Sequence, residues 1–131
     1  MQFIDIPKPG GPEVLTLAEG PIPEPGPEEV LIKVAAAGIN HADLSQRKGL
    51  YRTPSGASGI AGLEVSGEII ALGKAVKQWS VGDQVCALVN GGLCTVHRRP
   101  RHTMPACTKG ANAVASRRAT GSSFHRLGQR L

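Results

Sequence analysis

After Gly92 the chain contains no acidic residue. All ten Asp and Glu residues precede that point, while the remaining thirty-nine residues carry seven Arg and one Lys. Seven basic residues against ten acidic ones leave residues 1–92 at −3, and residues 93–131 stand at +8, so the overall +5 hides two opposite signs. Such asymmetry ordinarily marks a basic arm for nucleic acid or an anionic membrane. That inference holds only for a tail that was selected as protein. Cysteine is scarce: Cys86, Cys94 and Cys107 form no C-x-x-C pair, and their odd count argues against a disulfide framework. No apolar run approaches the ~20 residues of a membrane span. The first residues lack a basic stretch followed by an apolar core, so no secretory signal is expected and the cytoplasm is the default location. At 131 residues the chain has the length of one domain.

What is present in the first 92 residues is a series of short strands separated by turns. "MQFIDI" and "EVLTLAEG" read as strands on either side of "PKPGGP", whose prolines remove ladder donors and whose glycines permit turning. "VLIKVAAAGI" alternates, with Val30, Ile32 and Val34 on one face and Leu31 and Lys33 on the other. "NHADLSQRKG" fits a short helix closed by Gly49, with Arg47 and Lys48 in its last turn. "LEVSGEIIALG" and "VGDQVCALV" complete the strands, with Gly82 suited to positive φ in the turn before the last. Regular short strands with Gly/Pro turns predict a mainly β barrel or sandwich. From Leu93 the period is lost, and "RRPRH", "CTKGANAVASRRATGSS" and "FHRLGQRL" offer too little apolar surface to offset an ordering cost of ~1–2 kcal/mol per residue. The chain therefore divides into a domain at 1–92 and an irregular basic tail at 93–131.

Four motifs in order, "KPGGPEVL", "EVLIKVAAAGINHADLSQRKGLY", "GLEVSGEI" and "WSVGDQVCAL", resemble the opening of the medium-chain dehydrogenases/reductases. Within them, the chain is similar to the zinc-independent quinone oxidoreductases, and the resemblance runs from residue 1 to about 92. It implies a GroES-like, partly open β-barrel with a short helix, NADPH as the reductant, a quinone or enone as the small-molecule acceptor, and a homo-oligomeric parent. Zinc-dependent members place a Cys ligand at the position of Asn40 and a His ligand at that of Leu63. Asn is a poor ligand for a borderline-soft ion, Leu offers none, and Glu64 cannot hold zinc alone, so no metal is expected. The resemblance assigns Asn40 and Asp43 to the nicotinamide side of the pocket and Tyr51 to the acceptor, as proton donor or pocket wall. Read from the residues alone, Asn40 and Asp43 could merely cap the helix, and Tyr51 could be a half-buried anchor.

The family's second half is a Rossmann domain whose Gly-rich turn holds the pyrophosphate. The glycines at 56, 59, 62 and 67 do not have that arrangement, so NADPH is expected to find no tight grip here and the chain alone to be inactive. The family continues after its glycine pair with Tyr-Ala and a further barrel strand. One base inserted after the Gly91–Gly92 codons would turn Tyr-Ala into Leu-Cys. The same shift lets "FHRLGQRL" be read as Ser-Thr-Val-Trp-Ala-Asn-Val and "PACTKG" as Pro-Val-Pro-Lys-Gly, both segments of the family. The tail is thus expected to be non-native, its charge an accident of a shifted frame, and the barrel to fold marginally with an exposed apolar edge. The rival is a zinc knuckle at Cys94-x2-His97-x4-His102-x4-Cys107, with Arg98, Arg99 and Arg101 for nucleic acid. It lacks the aromatic residues on which bases stack, so nucleic acid is not the expected partner.

Overall fold

The computed structural model describes residues 1–51, 58–100 and 123–126, with the backbone alone described at 99–100 and 123–126. The chain is mainly β. Strands β1 (Gln2–Asp5) and β2 (Thr16–Glu19) form an antiparallel pair with Phe3 opposite Ala18, and a 3-10 turn at Pro12–Val14 lies between them. A larger antiparallel sheet is built on β3 (Glu29–Ile39), with β4 (Glu64–Leu72) on one side and β5 (Gln84–Leu88) beyond it. The other side of β3 takes β6 (Val96–Pro100) along Glu29–Lys33 and β7 (Ser123–Arg126) along Ala36–Ile39. The sheets do not close on each other, and helix α1 (His41–Arg47) is the helix among the described residues. This is the partly open barrel with a short helix that the strand pattern and the resemblance predict.

Val30, Ile32 and Val34 are all buried and Lys33 is exposed, as the alternation requires. Leu31, expected to face away from them, is buried as well. The register with β4 shifts between Leu31 and Ile32, and such an irregularity breaks the period-two alternation at that point. Ile32 and Ile69 are fully enclosed in a core completed by Val65, Val76, Val85, Ala87, Val89 and Cys94. Each enclosed Ile contributes about 1.5–3 kcal/mol of transfer free energy.

The ladder does not end at Gly92. Leu93 packs against the core, Cys94 is 2% exposed, and Val96 is buried. The two sheets are joined through this segment: Ile4 N–H donates to Leu93 O at 2.9 Å, and Thr95 N–H donates to Gln2 O at 2.9 Å. The expectation of lost periodicity therefore fails over 93–100. Its apolar residues are Leu93, Cys94 and Val96, too short a pattern to register as alternation before the arginines begin. Arg98 Nη1 lies 3.7 Å from Glu29 Oε2, a pair open to solvent on the arginine side that contributes little in water.

Cys94 is the free thiol among the described residues. The Cys94 Sγ donates towards the carbonyls of Gly91 and Val96, both at 3.2 Å, and burial pushes its pKa up to about 11. A thiol so enclosed reacts slowly, since the thiolate is the nucleophile. In native buffer near neutral pH, Cys94 is expected to resist iodoacetamide and to be alkylated promptly once denaturant is added, as mass spectrometry of the digested chain would show. Prompt native alkylation would mean that the core around Val96 is open.

Candidate functional site

Helix α1 starts at Asn40, whose backbone is extended (φ −123°, ψ 166°) and which therefore stands outside the helix as its N-cap. The Asp43 carboxylate reaches back and accepts the Asn40 N–H through Oδ2 at 2.6 Å. This is the return leg of a capping box, with Asp at the third helical position in place of the usual Glu or Gln. At the other end Leu50 N–H donates to Ser45 O at 2.9 Å and Gly49 N–H to Gln46 O at 3.0 Å, a Schellman closure. Gly49 has φ +74°, which a Cβ would make costly, so the expected helix stop is realised.

The Asn40 side chain takes part in the cap, accepting from the Asp43 N–H, and also reaches beyond the helix. Its Nδ2 donates to Glu64 Oε1, 3.2 Å away, at the first residue of β4. Glu64 pairs across the ladder with Gly38, and that glycine is what gives its carboxylate room. A Cβ at Gly38 would overlap Glu64 Oε1 and lie 2.5 Å from Cδ. Asp43 and Glu64 are each 6% exposed, so two buried carboxylates meet the half-buried Asn40 amide.

Burial raises the Asp43 pKa above the ordinary carboxylate range, and the Glu64 charge adds to the rise. The hydrogen bond from Asn40 N–H and the Gly62 amide pull it down. A carboxyl whose folded pKa is raised binds its proton more tightly in the folded state. Its contribution is most favourable below the unfolded value near about pH 4 and is lost as pH rises through the raised value. Asp43→Asn keeps an acceptor for Asn40 N–H and removes a charge that is costly to bury. The variant is expected to melt no lower than the parent at neutral pH, with a flatter dependence of Tm on pH. A large loss of Tm at neutral pH would show that the charge itself is needed.

Of the residues named from sequence, Asn40 and Asp43 come together, and the capping role open to both is present. Tyr51 is half-buried beyond the helix stop, beside segment 52–57, which lies outside the described residues. Sequence reasoning missed the link from Asn40 to Glu64. The available signal was a single acid inside the otherwise apolar start of "LEVSG". The donor set does not fit zinc: position 63 offers no ligand, and the Glu64 carboxylate is met by an amide N–H instead of a cation. Among the described residues no group of three or more His, Cys, Asp or Glu side chains is placed to hold a metal. For the knuckle alternative, the Cys94 Sγ lies 3.9 Å from His97 Nδ1, but the thiol is buried in the core, and His102 and Cys107 lie outside the described residues. That alternative is not favoured.

This open barrel, with a polar cluster at the junction of its longest strand and its helix, defines a GroES-like domain of the alcohol dehydrogenase type. The alcohol dehydrogenase GroES-like domain family matches residues 26–127, and the chain belongs to that family. It is similar to the N-terminal part of quinone oxidoreductases of the medium-chain dehydrogenase/reductase superfamily. A quinone oxidoreductase of Pseudomonas aeruginosa is 45% identical over 76 residues, covering 58% of this chain and 23% of the relative. A quinone oxidoreductase of Lama guanicoe is 36% identical over 107 residues, covering 79% of this chain and 32% of the relative. The crystal structure of the Escherichia coli quinone oxidoreductase complexed with NADPH superposes with a TM-score of 0.78 at 30% identity, covering 86% of this chain and 35% of that one. The chain thus spans a third or less of the length of these two curated relatives.

Proposed function

We propose that this chain forms the acceptor-side barrel of an NADPH-dependent quinone oxidoreductase, zinc-independent and cytoplasmic, whose homo-oligomeric parent reduces a quinone or an enone. The observation that carries the reading is the meeting of Asn40 and Asp43, the positions where the resemblance puts the nicotinamide pocket, with the buried Glu64 beside them. Asp43 Oδ1 is a buried acceptor without a donor, which suits an N–H group such as that of the nicotinamide carboxamide. The opposite end of the dinucleotide has no counterpart among the described residues, which hold no Gly-rich strand–turn–helix for a pyrophosphate.

When bound, the cofactor would supply the hydride. The chain's own residues would do the rest. Asn40 would hold and orient the carboxamide, Asp43 would keep Asn40 in place through its backbone, and the dry setting would strengthen both contacts. Tyr51 would wall the acceptor or give its phenol proton to the acceptor oxygen as that oxygen gains charge. The chain by itself is expected to be inactive, because orientation without a grip on the reductant leaves the cofactor dilute. Purified protein mixed with NADPH and a soluble quinone should consume NADPH no faster than the protein-free blank. A protein-dependent rate abolished by Tyr51→Phe would overturn that expectation.

We propose in addition that residues 93–131 derive from a shifted reading frame. The absence of acid after Gly92 and the family segments readable beneath "PACTKG" and "FHRLGQRL" support this. Strand pairing at β6 is compatible with it, since ladder hydrogen bonds come from the backbone and tolerate changed side chains. The coding DNA decides: one uninterrupted frame, with no dehydrogenase continuation beneath it, would make the basic tail purposeful.

A further inference from the structure

Two buried acids stand side by side without a counter-charge. Asp43 on α1 and Glu64 on β4 are each 6% exposed, and neither makes an ion pair among the described residues, where Arg98 pairs with Glu29. The donors they meet are neutral: the Asn40 N–H at 2.6 Å for Asp43 and the Asn40 Nδ2 at 3.2 Å for Glu64. The groups that lower the Asp43 pKa are backbone amides, and none of them is a cation. Buried charges are ordinarily matched by an opposite charge, because removing them from water is costly. Ser66 adds an independent sign that this face is incomplete. It is 4% exposed and its Oγ has no hydrogen-bond partner. Two residues beyond Glu64 on β4, it shares a face of the sheet with that carboxylate. Opposite the two in the register are Ala36 and Gly38, which bring a methyl group and no side chain. We propose that the Asp43–Glu64 pair makes this pocket a site for a cationic ring, favouring the positively charged, oxidised nicotinamide over the neutral, reduced one. The inference rests on the nicotinamide reading given above and adds a charge preference to it.

The two forms of the ring have nearly the same outline and differ by one unit of charge. Shape cannot separate them, but a fixed field can. At an effective dielectric constant of ~20, a carboxylate ~10 Å from the ring changes affinity on the order of tenfold, so neither acid has to touch the ligand. The Asn40 side chain is asked for nothing beyond its contacts with the Asp43 N–H and with Glu64. Those contacts fix the acids in place without neutralising them, so no counter-ion has to leave when a positive ring arrives. Ser66 Oγ, a hydroxyl oxygen on the same face, can turn its lone pairs towards that charge. A field held ready in this way also stabilises the positive charge that the ring acquires on giving up hydride.

The test titrates oxidised and reduced nicotinamide mononucleotide, which share ribose and phosphate, into the whole 15N-labelled chain. The backbone signals of Asn40, Asp43 and Glu64 report binding. The oxidised form should bind about tenfold more tightly than the reduced form. Glu64→Gln keeps an acceptor for Asn40 Nδ2 and removes the charge, and Asp43→Asn does the same for the Asn40 N–H. Each should cut the preference severalfold by weakening the oxidised form, with the reduced form little changed. A merely structural role would weaken both forms together, and that result overturns the charge preference. Equal affinity for the two forms in the parent overturns it as well, while leaving the nicotinamide reading intact. The 1-methylpyridinium cation, which has no carboxamide, separates the two ideas. If it binds in a Glu64-dependent way and the mononucleotides move no signal, a cation site is present and the nicotinamide reading is wrong. If no probe binds, both are wrong. Should Glu64→Gln fail to fold, the ratio in the parent and its change in Asp43→Asn decide.

Discussion

Gly67→Ala is expected to unfold the domain. Gly67 pairs with Val34 at the middle of the β3–β4 ladder, and a Cβ there would overlap the Lys33 carbonyl oxygen, with the Lys33 carbonyl carbon at 2.9 Å and Ile32 Cγ2 at 3.0 Å. The colliding atoms are backbone and a fully buried side chain, so neither can swing aside. Relief requires β3 and β4 to part, which breaks ladder hydrogen bonds and opens the core around Ile32 and Ile69. A cost above about 4 kcal/mol is the scale of the most severe point substitutions, against a total stability of about 5–15 kcal/mol for ordinary domains. Gly59→Ala is the matched control, because a Cβ there meets nothing within 4 Å, and its change should stay within about 0.5 kcal/mol. Thermal melts followed by circular dichroism compare the two. A cooperative melt for Gly67→Ala near the parent Tm would contradict the tight approach of the central strands.

Asn40→Asp should have the next largest effect, and one that depends on pH. The substitution replaces the amide donor facing Glu64 by a carboxylate, so that a third acid joins Asp43 and Glu64, each 6% exposed. Removing the partner of a buried charged group costs about 3–5 kcal/mol, and like charge raises the penalty until one group takes up a proton. The introduced Asp would thus have a raised folded pKa, and the sign follows. The variant approaches the parent's stability in acid, below about pH 4, and loses it as pH rises towards neutrality. Urea denaturation at an acidic and at a neutral pH reads this directly. Equal losses at both would mean that packing, not charge, links Asn40 to Glu64. Asp43, already pushed upward by burial, contributes the same direction of pH dependence in the parent.

How much of this was legible beforehand differs from residue to residue. The alternation of Val30, Ile32 and Val34 placed the central strand, and "NHADLSQRKG" placed the helix with its stop at Gly49, because periodicity and turn chemistry are local properties. Asn40 and Asp43 could be named but not decided: the same two residues serve as a helix cap and as part of a buried cluster, and three positions of sequence do not separate those roles. Glu64 was noticed only as a metal ligand left without its companions. Its actual partner lies 24 residues earlier, across a strand pair whose register is set by packing. The burial of Cys94 was hidden for a similar reason, since its neighbours in space are Phe3 on β1 and the carbonyl of Gly91, joined only when the two sheets meet.

Strand order along the chain, the turns, the helix and the change of charge sign at Gly92 follow from the amino-acid sequence by itself, each being a property of a few consecutive residues. The tertiary structure alone decided that Gly38 makes room for Glu64, that Glu64 holds Asn40, and that the first residues of the basic segment finish the sheet. These are contacts between distant positions. They exist because the backbone ladder brings β3, β4 and β6 side by side, and because buried polar groups must find partners wherever that ladder leaves them.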